Sequence, residues 1–158
     1  MANTFTQLTI HIIIAVKRRE NRLIKSVRPQ IFKYITGIIT NKNHKLLAIN
    51  GIADHVHLLV GLSPAMALSD LVRDIKNNST NFINKQRLVP GKFQWQLGYG
   101  AFSYSRSQRS RIISYIENQE QHHRKRTFRE EYMDILKKFQ VDYDEKYIFE
   151  FYDDVSEL

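Results

Sequence analysis

The hydrophobic pattern alternates between short apolar runs and stretches with a helical repeat. Residues 5–16 (Phe-Thr-Gln-Leu-Thr-Ile-His-Ile-Ile-Ile-Ala-Val) are rich in β-branched side chains and predict a buried strand. The basic stretch that follows, 17–22, reads as a loop. Val27, Ile31, Tyr34, Ile35 and Ile38 fall on one face of a helix over 27–41. Asn41-Lys42-Asn43-His44 is a turn cluster. Residues 46–52 and 55–61 predict two strands, joined as a hairpin by Ala53-Asp54. Ser63-Pro64 punctuates the chain before Leu68, Leu71, Val72, Ile75, Phe82 and Ile83 mark a second helix over 67–86.

Pro90-Gly91 interrupts the pattern again. Residues 93–97 (Phe-Gln-Trp-Gln-Leu) alternate like a strand, and 98–103 read as a loop or edge segment. Ser107 is a candidate cap for a third helix reaching about residue 124. Thr127-Phe128-Arg129-Glu130 fits a capping box for a fourth, over 128–139. The order βαββαβ predicts an α+β ferredoxin-like sandwich with an antiparallel sheet, followed by a helix bearing Tyr115 and a further C-terminal helix. One domain spans 1–158: a core over 1–105, the tyrosine helix over 106–126, and a C-terminal helix with an acidic tail over 127–158. In that tail Tyr147, Ile148 and Phe149 are expected to pack.

Composition narrows the function. No apolar stretch approaches the roughly 18–20 residues a spanning helix needs, and no secretory signal opens the chain, so a membrane is not expected as a partner. The absence of cysteine excludes a disulfide framework and a thiolate metal site. It makes the reducing cytoplasm the default location. The formal charge of +8 divides into +14 over 1–139 and −6 over 140–158. A basic body of this kind favours a polyanion, nucleic acid ahead of membrane.

Two short motifs carry candidate chemistry. Side chains alternate across a strand, so His55 and His57 share one face and can converge on a cation, with Val56, Leu58 and Val60 opposite. An isolated His-x-His is more often two ligand-free strand histidines. Tyr115 and Gln119 lie one turn apart on a helix. On its own Tyr115 reads as readily as a core aromatic beside Ile112, Ile113 and Ile116. His122-His123 lies further along the same predicted helix.

Together the motifs resemble a known family. Asp-His-Val-His-Leu-Leu-Val at 54–60 is similar to the His-hydrophobic-His motif of HUH endonucleases. Trp95-Gln96, Tyr99, Ala101-Phe102-Ser103, then Tyr115-Ile116, Asn118-Gln119, His122-His123 and Phe128 with Glu130-Glu131-Tyr132 resemble the single-tyrosine transposases of small bacterial insertion sequences. The resemblance runs from the first strand to about Tyr147. It implies His55 and His57 as metal ligands, Gln119 as the third protein ligand and Tyr115 as the nucleophile. Mg²⁺ or Mn²⁺ is the implied cofactor. The implied reaction cleaves and rejoins single-stranded DNA at hairpin-bearing element ends through a 5′-phosphotyrosine. A homodimer, with active sites that the subunits could share, is the implied assembly. Lys17, Arg18, Arg19, Arg22, Arg106, Arg109, Arg111, Arg124, Lys125 and Arg126 are candidate phosphate contacts. Tyr99, Phe102 and Tyr104 are candidate stacking platforms for unpaired bases. Competing readings are a domesticated relative that nicks genomic hairpins, a non-enzymatic nucleic-acid-binding module, and a zinc hydrolase, for which no third ligand stands at a usual spacing.

Overall fold

The computed structural model describes residues 3–152, the side chain of Arg19 excepted. Four strands form one antiparallel sheet in the order β2-β3-β1-β4, with β1 Thr9–Ala15, β2 Lys45–Gly51, β3 His55–Gly61 and β4 Gly100–Tyr104. Helices α1, Arg28–Asn41, and α2, Leu68–Gln86, make the two crossovers of the predicted ferredoxin-like arrangement. Beyond the sheet follow α3, Arg109–Glu117, α4, Gln119–His122, and α5, Phe128–Lys138.

The sheet is buried on both faces, which is why β1 and β3 read as near-continuous apolar runs. On one side Ile12, Ile14, Val56, Leu58 and Val60 pack against Ile31, Ile35 and Ile39 of α1 and Leu71, Val72 and Ile75 of α2. On the other, Ile13, Ala15, Leu59, Phe102 and Tyr104 meet Ile112 and Ile116 of α3 and Phe128, Tyr132, Ile135 and Leu136 of α5. The alternation that sends Val56 to the first core sends His55 and His57 toward the second.

The hairpin that presents them is tight. A Cβ added at Gly51 would run into the His55 carbonyl oxygen and approach the Val56 Cα to 2.9 Å, so glycine is needed where β2 turns into β3.

Four local expectations change. The last strand is β4, not 93–97, where Trp95 makes a single bridge to Val16. Trp95 and Phe93 instead enter the α2-side core, with the Trp95 indole donating to Ser79 Oγ at 2.9 Å. The tyrosine helix predicted over 106–126 is broken at Asn118. There the Asn118 amide donates to the Ser114 carbonyl, while Asn50 of β2 donates to the Ile116 and Glu117 carbonyls, each at 3.0 Å. The Ile116 and Glu117 carbonyls would otherwise accept the next helical N–H groups. Ser105, not Ser107, forms a capping box with Gln108, at the start of a short turn of 3₁₀ helix. The Thr127 box stands as read, and α5 follows it. In the C-terminal segment Phe149 is buried and Ile148 half-buried, but Tyr147 is 83% exposed.

Candidate active site

β3 supplies His55 and His57, α3 supplies Tyr115, and the break at Asn118 carries Gln119 and His123 back over the sheet. α5 supplies Glu131, in its first turn, where the helix N-terminus favours a negative charge. All but Tyr115 are buried, and Tyr115 is half-buried.

The organising group is the Glu131 carboxylate. Its Oε1 lies 3.1 Å from the Nε2 atoms of His55, His57 and His123. Its Oε2 accepts from the Tyr115 hydroxyl and, at 3.1 Å, from Gln119 Nε2. Gln119 Oε1 lies 3.1 Å from His123 Nε2, so both ends of the amide are engaged. Behind the inner nitrogens, His55 Nδ1 meets Asp54 Oδ1 at 2.8 Å and His123 Nδ1 meets the Arg126 carbonyl at 3.1 Å. His57 Nδ1 meets His11 Nε2 at 2.7 Å. Phe128 lies flat on the His55 ring, 3.7 Å between centroids, and His122 stacks on Tyr115 at 4.7 Å.

Burial alone would lower the His55 pKa, but its hydrogen bonds to Asp54 and Glu131 outweigh it and raise the group to about 9. His57 is lowered by burial, against the pull of Glu131. Burial would raise Glu131, yet the surrounding imidazoles, His57 foremost, hold it well below the usual carboxylate range. Tyr115 is raised above its ordinary value by burial and by the neighbouring Glu131 charge, with Arg126 opposing. At neutral pH these shifts leave Glu131 ionised, His55 protonated and the Tyr115 phenol neutral.

Residues 4–119, well over half of the chain, match the family described as "Transposase IS200 like". The chain belongs to that family. This IS200-like transposase is similar to the ISDra2 transposase TnpA of Deinococcus radiodurans, with 29% identity over 119 residues, 72% of this chain and 84% of that protein. A crystal structure described as a transposase from D. radiodurans R1 matches with a TM-score of 0.59 and 29% identity, covering 74% of this chain and 94% of the other. A REP-associated tyrosine transposase solved with a REP hairpin has a TM-score of 0.56, covering 73% of this chain and 68% of its own. At 14% identity it attests the fold alone.

Within the transposase the predicted residues divide. His55, His57, Tyr115 and Gln119 come together at one point, within a single chain. His123 and Glu131 join them unforeseen as site residues. Glu131 was signalled by its place among Phe128, Tyr132 and Ile135 on the apolar face of α5, where a carboxylate is anomalous. Of the basic candidates, Lys17, Arg18, Arg106, Arg111, Arg124 and Lys125 are exposed, and Arg22 and Arg109 half-buried. Arg126 turns inward, 3.4 Å from the Tyr115 hydroxyl, and pairs with Asp134 at 2.6 Å. Arg19 has its side chain outside the described residues. Phe102 and Tyr104 belong to the core and offer no stacking face, whereas Tyr99 stays exposed.

His55, His57, His123 and Glu131 form a group whose ligand atoms lie within 4.8 Å of one another. The residues fit a divalent metal. One carboxylate oxygen faces three imidazole nitrogens, and the outer nitrogens of the same rings are already partnered, as in metal sites whose ligands are oriented from behind.

Proposed function

We propose that this transposase cleaves and rejoins single-stranded DNA at hairpin-bearing ends, with Tyr115 as the nucleophile. The observation that carries the reading is the convergence of the Tyr115 hydroxyl and three imidazoles on one carboxylate. His55, His57, His123 and Glu131 would hold a divalent metal. Gln119 donates to Glu131, and its Oε1, 3.1 Å from His123 Nε2, is free to join as a further ligand once that nitrogen turns to a metal. The bound metal would neutralise phosphate charge and orient the phosphodiester.

The chain's own residues do the rest. Tyr115 loses its proton only as it bonds to phosphorus: the proton moves along the hydrogen bond to Glu131 Oε2 and on to solvent, because that carboxyl is held too acidic to keep it, while Arg126 steadies the charge developing on the phenol oxygen. As the tyrosine oxygen bonds to phosphorus, the bond to the 3′-oxygen breaks, and that oxygen takes a proton from solvent. The product is a 5′-phosphotyrosine and a free 3′-OH. A 3′-OH from another strand reverses these steps at a new junction, with Glu131 relaying a proton back from solvent, so no nucleotide hydrolysis is required. Arg124 and Lys125 line a cleft of about 230 Å³ that reaches His123 and Asp54, a path for the strand's phosphates.

The test is incubation of end-labelled hairpin single strands from the gene's flanks with Mn²⁺, resolved on a denaturing protein gel. A DNA-linked band lost in Tyr115→Phe and in EDTA is expected. Binding without such a band would favour a non-catalytic module. Metal-dependent cutting without one would favour hydrolysis, a reading that gains from His123 and Glu131 as the further ligands it lacked in sequence. Assembly as a homodimer is carried as part of the proposal. With Tyr115 beside its own chain's histidines, mixed His57→Ala and Tyr115→Phe subunits are expected to stay inactive; restored activity would show exchange of the tyrosine helix between subunits.

A further inference from the structure

We propose that His11 is a positioning residue for the metal site: its Nε2 accepts the Nδ1 proton of His57, so that the His57 Nε2 lone pair faces the cation. This rests on the reading that the site holds a divalent metal.

His11 lies on β1 and His57 on β3. The register pairs Ile13 with His57 and His11 with Leu59, which makes the two histidines diagonal neighbours on one face of the sheet. Their rings stack, with centroids 5.0 Å apart, and Nε2 of His11 lies 2.7 Å from Nδ1 of His57. Phe102 and Tyr104 flank the His11 ring with centroids at 6.3 and 6.1 Å. His11 is 1% exposed in a strand whose neighbours on that face, Ile13 and Ala15, are core residues. An aliphatic side chain there would avoid the cost of burying a polar ring.

The three inner imidazoles differ in what stands behind them. His55 is backed by a carboxylate and His123 by a backbone carbonyl. Both groups can only accept, so each fixes a proton on Nδ1 and leaves Nε2 to be freed for a metal. His57 is backed by another imidazole, which can accept or donate. One proton occupies the 2.7 Å gap. If His11 Nε2 carries it, neutral His57 must bear its own proton on Nε2, pointing at the metal position. If His57 Nδ1 carries it, Nε2 is free and His11 bears its proton on Nδ1. Each ring holds one proton in either arrangement, so the pair changes tautomer without net gain or loss.

The second arrangement has a visible cost. His11 Nδ1 is buried with no hydrogen-bond partner among the described residues, and an unpaired buried donor is rare in native proteins. Such a cost is explicable where the arrangement serves a ligand of His57.

The test uses the full chain and Mn²⁺ as the probe, titrated by calorimetry. His11→Phe keeps a ring and removes the acceptor; His11→Gln places an amide oxygen near the lost Nε2. By the usual weight of groups that orient metal ligands, His11→Phe is expected to weaken Mn²⁺ binding about 10–100-fold, and His11→Gln less than about threefold. A merely structural role would not be rescued by the amide. In wild-type protein loaded with diamagnetic Zn²⁺, ¹⁵N imidazole NMR should show protons on Nδ1 of both His57 and His11. That measurement decides the matter even if His11→Phe does not fold. A proton found on His11 Nε2 in the loaded protein, or unchanged Mn²⁺ affinity in a folded His11→Phe, would overturn the inference. Failure of the wild type itself to take up Mn²⁺ or Zn²⁺ would instead overturn the metal reading beneath it.

Discussion

Exchanging Glu131 for Gln keeps the size of the side chain and removes the charge on which the site converges. The consequence for stability can be worked from His55, whose pKa of about 9 lies above the unfolded value of about 6.5. A group raised on folding stabilises the native state fully below its unfolded pKa and loses that contribution as pH rises through the folded one. Between those values wild-type stability falls by about 1.4 kcal/mol per pH unit from this group. In Glu131→Gln one of the two carboxylates that raise His55 is gone, and the variant can escape the uncompensated charge by shedding the His55 proton. At pH 7 that escape costs at most about 2.7 kcal/mol, which caps the charge-dependent part of the loss. At pH 8.5 the cap is under about 1 kcal/mol. Urea unfolding of both proteins in EDTA should therefore show a deficit that shrinks by up to about 2 kcal/mol between the two pH values. Groups that Glu131 does not touch, Lys76 among them, cancel in the comparison. A deficit of the same size at both pH values, or a variant more stable than wild type at pH 7, would refute the reasoning.

Three further outcomes follow from the geometry. Asp54→Asn puts a side chain that can also donate behind His55, so the Nδ1 proton is no longer fixed; Mn²⁺ affinity is expected to fall about 10–100-fold by calorimetry. Gly51→Ala must push apart the β2–β3 turn, and a loss of at least about 1–3 kcal/mol is expected in urea unfolding; a smaller loss would mean that the turn yields easily. Metal uptake must displace the His55 proton, so the apparent Mn²⁺ affinity should weaken about tenfold per pH unit below about 9, with close to one proton released at pH 7.5. Calorimetry in buffers of different ionisation enthalpy measures that proton.

The fold was legible where one element owned its pattern. The apolar runs of β1 and β3, the helical spacing of α1 and α2 and the Thr127 capping box each appear in the structure close to where the residues placed them. Misreadings arose where a distant partner decided. Residues 93–97 alternate convincingly, but Trp95 and Phe93 are claimed by the α2-side core and β1 pairs with Gly100–Tyr104 instead. The break at Asn118 depends on Asn50, 68 residues away in the chain, a contact that no local spacing encodes. The site followed the same rule. His55 and His57 announce themselves by strand alternation, whereas His123 and Glu131 acquire meaning only when two helices fold back over the sheet. Phe102 and Tyr104 looked like platforms for bases because sequence does not say which side of an aromatic is covered.

The stretch that matches the transposase family ends at Gln119, four residues short of His123 and twelve short of Glu131. Two of the four converging donors therefore belong to a segment outside the shared portion. The strand histidines and the tyrosine lie inside that stretch, so changes confined to the segment beyond it would alter two of the four proposed ligands and leave the nucleophile untouched. Exchanging residues 120–152 for the corresponding segment of another member would then be a way to transplant metal preference without touching the nucleophile.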